Sequence, residues 1–146
     1  MPYTYEYPRP ALTVDGVVLR KTDAHTEVLL IERKHWPFQG SWALPGGFVN
    51  EQETLKQAVD REIVEETGLK NLSFKQFHTY GHPDRDPRHR TVTVVYVAWI
   101  TENQPVTAGD DAAGAAWFNI TALPPLAFDH AAILNEVITA LNLKKD

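Results

Sequence analysis

Short apolar runs alternate with polar breaks along the first half of the chain, and their period changes once. Residues 11–20 and 27–33 are rich in Val, Leu and Ile and are separated by a polar stretch at 21–26, which predicts two strands paired as a hairpin-like unit. From residue 54 the spacing becomes helical. Leu55, Val59 and Ile63 fall at i, i+4 and i+8, no proline interrupts, and Gly68 stands where a helix commonly closes in a left-handed residue. A helix is therefore predicted over 54–67. Beyond it, 72–80 and the β-branched, aromatic 91–101 read as strands, and 115–120 as a shorter one. A last helix is predicted over 130–143, with Asp129 as N-cap and Ile133, Leu134, Val137, Ile138 and Leu141 on its apolar face. Strands flanked by two helices far apart in sequence make a sheet covered on both faces, an α/β or α+β architecture. No repeat, low-complexity tract or linker interrupts the pattern, so one domain over residues 1–146 is expected.

The helix at 54–67 carries a second stripe. At about 100° per residue, Glu66 lies roughly 40° to one side of Glu62 and Glu65 roughly 60° to the other, so the three carboxylates share one face beside the apolar one. Carboxylates this close repel one another unless a cation sits among them. A hard divalent ion answers to that, because Mg2+ takes a few carboxylates, keeps several waters and draws further ligands from substrate phosphates. Glu53 approaches from the loop before the helix, and Leu44-Pro45-Gly46-Gly47 supplies a tight turn whose backbone can come close to a metal or phosphate. The plainer alternative is a solvated acidic face with Arg61 and Lys56 as surface partners, which is how a lone Glu-x-x-Glu-Glu would be read. Here Gly47, Glu53, Arg61, the three glutamates and Gly68 all fall at specified offsets.

That pattern, Gly47-x5-Glu53-x7-Arg61-Glu62-Ile63-Val64-Glu65-Glu66-Thr67-Gly68-Leu69, resembles the signature of the Nudix hydrolases at every fixed position. The resemblance implies an α/β/α sandwich with a mixed β-sheet between helices, and metal-dependent hydrolysis of a nucleoside diphosphate linked to another group. A diphosphate repels anionic nucleophiles, and divalent metals both neutralise its oxygens and make hydroxide available near neutral pH. On this reading Glu62 and Glu66 are the principal Mg2+ or Mn2+ ligands, with Glu65, Glu53 and the Gly46 carbonyl completing the sites. Glu62, Glu65 and Arg61 form the catalytic set, Arg61 as an orienting ion-pair partner beside Glu65. The general base stays open between Glu65, Glu62 and an acid from a later loop, with Asp84, Asp86, Asp110 and Asp111 as candidates.

Composition narrows the partners. A net charge of -5 and a pI near 5.6 argue against a nucleic-acid duplex or an anionic membrane, since both reward a basic surface. With no cysteine there is no disulfide, thiolate zinc site or thiol nucleophile, which suits a reducing cytoplasm. No basic start followed by an apolar run opens the chain, and no segment has membrane-spanning length.

Substrate choice must come from outside the signature. Residues 81–90 bring Arg85, Arg88 and Arg90 into one interstrand loop, either as phosphate or carboxylate contacts or as a solvated hairpin loop. Two histidines four apart, His78 and His82, are not read as metal ligands, because Gly81 and Pro83 break any helix between them. Trp36, Phe38, Trp42, Trp117, Phe118 and Phe128 offer stacking surfaces for a base, or core. Together with this loop, Ala108-Gly109-Asp110-Asp111-Ala112 and Leu126-Ala127-Phe128-Asp129-His130 resemble the ADP-ribose-hydrolysing branch of the family and the Nudix domains of NAD-responsive regulators, and Asp111 joins the arginines as a substrate contact. No winged-helix domain of the kind such regulators append is expected within residues 1–146. ADP-ribose cleavage to AMP and ribose 5-phosphate is the implied reaction. The alternatives are an 8-oxo-dGTP-type nucleoside triphosphate substrate and a sensing module without turnover. A homodimer is a further expectation, to which the tyrosine- and proline-rich N-terminal arm could contribute.

Overall fold

The computed structural model describes residues 2–143; the first residue and the last three of the expected domain lie outside that range. The chain runs β1 (Ala11–Lys21), β2 (Thr26–Arg33), β3 (Trp42–Ala43), β4 (Gly46–Phe48), α1 (Leu55–Thr67), β5 (Lys75–Tyr80), β6 (Thr91–Trp99), β7 (Ala112–Asn119) and α2 (His130–Ala140). All strands join one mixed sheet ordered β3-β2-β1-β6-β5, with β4 on β1 and β7 on β2. Among the described residues, β1 and β6 are the one strand pair that runs parallel, in register from Ala11↔Thr91 to Leu19↔Trp99. The other edge of β1 is divided: Leu19–Lys21 pair with β2, and Thr13–Asp15 pair with β4. That division leaves a seam at one end of the sheet, and the site lies on it.

Strand alternation assigns the two faces. Val14 and Val18 of β1, with Val94, Tyr96 and Ala98 of β6, pack under Ala58, Val59 and Ile63 of α1. Val17, Leu19, Val28, Leu30 and Val95 meet Ile133, Leu134, Val137 and Ile138 of α2 on the opposite face. Fully burying each such aliphatic side chain contributes about 1.5–3 kcal/mol, so two apolar helix stripes clamp the sheet from both sides. The expected α/β/α sandwich is what forms. Among the described residues, no helix is long and apolar enough to cross a membrane.

Thr54 starts α1 with a capping box, accepting the Gln57 amide at 3.1 Å while Gln57 accepts the Thr54 amide at 2.8 Å, and Gly68 closes it at φ 79°. Elsewhere the boundaries differ from the predicted ones. β5 begins at Lys75 rather than 72, because Leu72 and Phe74 pack into the core beneath α1 instead of entering the ladder. β7 begins earlier than 115: pairing with β2 carries Ala112-Ala113-Gly114 into the sheet despite their small side chains. The last helix stops at Ala140, where Asn142 turns left-handed at φ 53°, and Leu141 is left 40% exposed off the apolar face. Asp129 precedes α2 but caps nothing with its side chain. Its carboxylate is taken by Arg85, through bonds of 3.0 and 2.8 Å.

Candidate active site

A cleft of about 710 Å3 opens on the seam between β4, the acid face of α1 and the loop between β5 and β6. That is the size of a small-molecule site. Glu62, Glu65 and Glu66 all line it, as the helical spacing predicts. They are not equivalent. Glu66 is half-buried and accepts the Gly46 amide at 2.8 Å. Burial drives its carboxyl up to about 8 against that bond, and the charges of Glu62 and Asp15 push the same way. Glu62 is also raised, chiefly by burial, although Arg61 bonded at 2.7 Å opposes this. Glu65 stands exposed, touched by Arg61 at only 3.3 Å.

Arg61 organises this face. It donates to Glu53 at 3.0 and 2.7 Å, to Glu62 at 2.7 Å and to the Phe48 carbonyl at 2.9 Å. Its main partner is therefore Glu53 rather than Glu65. Glu53 in turn is held down to about 2 by Arg61 and by the Asn50 amide, and it does not line the cleft. The expectation that Glu53 faces an ion alongside the other glutamates does not match this arrangement, because its two oxygens face Arg61. Gly46 and Gly47 hold their places by lacking side chains: a Cβ on Gly47 would lie 2.6 Å from the Glu62 carboxyl carbon. Among the described residues no three acids or histidines converge closely enough to coordinate an ion as they stand.

Opposite the acids, the structure sorts the arginine loop. Arg85 is buried and clamps Asp129; Arg88 pairs with buried Asp86 through bonds of 3.0 and 2.8 Å; both arginines line the cleft. Burial alone would raise Asp86, but Arg88 outweighs it and holds the carboxyl below its usual range. Arg90 is outside the lining and donates to the Gly81 carbonyl, so it is not brought to the site. Asp86, Asp110 and Asp111 border the cleft and Asp84 does not. Of the aromatic residues, Trp36 and Phe128 line it, whereas Trp42 meets Phe118 edge-on at 4.8 Å over the α2 core and Trp117 packs on the α1 core. Phe48, not singled out in the sequence, also lines the cleft, and Arg88 lies 5.6 Å from both the Phe48 and Phe128 rings.

Asp15, Arg33 and His130 also line the cleft, and the sequence alone assigns none of them a role. Asp15 is 7% exposed, accepts the Thr93 hydroxyl at 2.6 Å and raises Glu66. A carboxylate in the middle of the apolar run at 11–20 was the available signal. Arg33 ends β2, donates to the Pro37 carbonyl at 2.6 Å and stacks 4.9 Å from Phe128. His130 is buried at the start of α2 and accepts the Leu44 amide at 3.0 Å. Nothing in the sequence pairs these last two with their partners.

A helix-borne carboxylate cluster facing a glycine turn, walled by arginines on a mixed sheet between two helices, is a fold and site with known counterparts. The NUDIX domain profile matches residues 10–141. An ADP-ribose pyrophosphatase from Methanocaldococcus jannaschii is 43% identical over 130 residues, which are 89% of this chain and 74% of that protein. The NUDIX domain of Shewanella oneidensis NrtR, solved with ADP ribose, is 34% identical with a TM-score of 0.87, covering 92% of this chain and 90% of that one. A bifunctional NMN adenylyltransferase/ADP ribose pyrophosphatase from Francisella tularensis, solved with AMP and an Mn ion, is 25% identical with a TM-score of 0.80; this chain spans 93% of its own length there and only 43% of the other's. The chain belongs to the Nudix family of hydrolases.

Proposed function

We propose that this protein hydrolyses the diphosphate bond of ADP-ribose to AMP and ribose 5-phosphate, with Mg2+ or Mn2+ bound at the α1 carboxylates. The observation that carries the proposal is the state of Glu62 and Glu66: two half-buried carboxyls, beside Asp15, whose pKa values burial raises. Oxygen donors that water no longer stabilises as bare anions fit a hard divalent cation. Glu62 and Glu66 would hold it, with the Gly46 carbonyl and Glu65 adjoining; Glu53 would join only by releasing Arg61. An ion held there would neutralise charge on the diphosphate and make hydroxide available near neutral pH.

The chain's own residues do the rest. Arg61 orients Glu62 and fixes the Glu53 loop to α1. Glu65, the least engaged of the lining glutamates, accepts the proton of the attacking water. Water adds to one phosphorus as the bridging P–O bond breaks, and the bridging oxygen leaves with the other phosphate. Arg85 and Arg88 sit across the cleft from the acids, where they offset the charge of the diphosphate. Asp111 borders the same cleft and is a further substrate contact in this scheme. ADP-ribose is preferred over an oxidised nucleoside triphosphate because the relatives solved or described with ADP-ribose match across most of this chain.

Incubation with Mn2+ and, separately, ADP-ribose, NADH, diadenosine polyphosphates and 8-oxo-dGTP tests this. The expected products are AMP and ribose 5-phosphate from the first. Products from 8-oxo-dGTP alone would reassign the substrate. Tight ADP-ribose binding with no product from any compound would make the protein a sensing module.

A further inference from the structure

Resting on that functional reading, we infer that His130 is a positioning residue: through the Leu44 amide it fixes the Leu44–Gly47 turn against the carboxylates of α1. His130 opens α2 on one face of the sheet, whereas the acids belong to α1 on the other. Its Nδ1 accepts the Leu44 N–H at 3.0 Å, across 86 positions of sequence. A backbone amide only donates, so Nδ1 carries the lone pair and the ring proton resides on Nε2. Nε2 faces the Asp15 carboxylate, 3.8 Å away, which also accepts the Thr93 hydroxyl. The ring is 3% exposed, and burial lowers its pKa, in the direction of the neutral form that an acceptor requires.

The turn that His130 holds is tied on two other sides. The Pro45 carbonyl accepts the Gly16 amide of β1 at 2.8 Å, and the Gly46 amide donates to Glu66 at 2.8 Å. Leu44, Pro45 and Gly46 are consecutive, so a shift at the first amide displaces the third, and with it the bond that aims Glu66. The ring itself is fixed from behind, because Arg85 clamps the carboxylate of the preceding Asp129. The path from the arginine loop to the acid helix thus passes through Asp129, His130, Leu44 and Gly46. Deleting the Nδ1 acceptor leaves a buried N–H without its partner, which a turn this short relieves by moving.

Two variants that bury the same amide group separate positioning from mere filling. In His130→Asn the side-chain oxygen lies near the place of Nδ1 and still accepts from Leu44; in His130→Gln the amide reaches the place of Nε2 and misses it. Amide exchange at Leu44, read by NMR, and kcat and KM for ADP-ribose with Mn2+ are compared in the two. The expected result is slow exchange and near-native kcat in His130→Asn, against faster exchange and a kcat lower by about tenfold or more in His130→Gln, with KM little changed. Equal exchange in the two variants, or equal kcat, would overturn the inference. A wild-type protein that leaves ADP-ribose intact withdraws the functional reading instead, and the Leu44 exchange rates then decide the positioning role by themselves.

Discussion

Along α1 the three lining carboxylates come from five consecutive residues of one helix, and their placement follows from helical geometry. Across the cleft, Arg33 comes from the end of β2, Arg85 and Arg88 from the loop between β5 and β6, and Phe128 from the approach to α2. The first wall is a local structure with like charges forced together; the second is a tertiary one in which Arg85 is matched to Asp129 and Arg88 to Asp86, while Arg33 bonds the Pro37 carbonyl. Arg61 serves Glu62 and Glu65 but, among the described residues, Glu66 has only the Gly46 amide as a donor, which leaves a demand for a cation, whereas the paired arginines leave a rigid frame. Substitutions on the two sides should therefore fail differently: turnover without loss of stability on the acid side, stability together with substrate binding on the arginine side.

The largest expected effect is that of Glu66→Gln. Removing a ligand charge from the ion should lower kcat by about a thousandfold, while the melting temperature holds or rises because a buried repulsion is gone. Gly47→Ala comes next. Its Cβ would lie 2.6 Å from the Glu62 carboxyl carbon, so Glu62 must move, and steady-state kinetics should show kcat lower by up to about a hundredfold. Arg85→Ala acts on the other wall. It leaves the Asp129 carboxylate without its partner, and urea unfolding should show a loss of about 2–3 kcal/mol, at the lower end because Asp129 is partly exposed. A stability loss on the acid side and none on the arginine side would reverse the contrast.

Proton linkage sharpens it further. The Glu66 carboxyl sits at about 8 in the folded protein, above its ordinary 4.5, so the native state keeps a proton that the unfolded chain gives up. The raised carboxyl therefore costs stability progressively as pH climbs from 4.5 through 8, and the cost persists above that. His130 acts in the opposite sense. Its pKa is lowered by burial, so stability falls as pH drops through its ordinary 6.5. Comparing wild type with Glu66→Gln by metal-free thermal melts isolates the glutamate: the advantage of the variant should grow between pH 5 and pH 8. The smallest effect is expected from Arg90→Ala. Its guanidinium bonds the Gly81 carbonyl outside the cleft, and both kcat/KM and stability should stay within about 0.5 kcal/mol of wild type.

Local elements are legible in the sequence and tertiary contacts are not, along the same division. Continuous apolar runs located β1, β2 and β6, which are buried on both faces of the sheet, and a period of 3.6 located α1 and α2, each of which buries one apolar stripe. The strands β3 and β4 have two and three residues around Pro45 and two glycines, too short for any periodicity. On α1 a fixed spacing guarantees a shared face, so Glu62, Glu65 and Glu66 were legible. Glu53 was not, because a carboxylate before a helix can face an ion or an arginine and spacing does not decide between them. Nor does composition tell which arginine of 81–90 is buried. Arg85 turns inward because Asp129, 44 residues later, meets it there, and that same contact removes Asp129 from the capping role its position suggested.

The proposed activity requires the α1 carboxylates to bind a hard divalent ion. Titration calorimetry of Mn2+ into the protein with AMP present, at pH 7 in two buffers of different ionisation enthalpy, tests that most directly. The expected result is saturable binding that releases protons, because a carboxyl held at about 8 must lose its proton to become a ligand, and binding weakened in Glu66→Gln. No uptake of Mn2+ by the wild type, or equal uptake by Glu66→Gln, would contradict it.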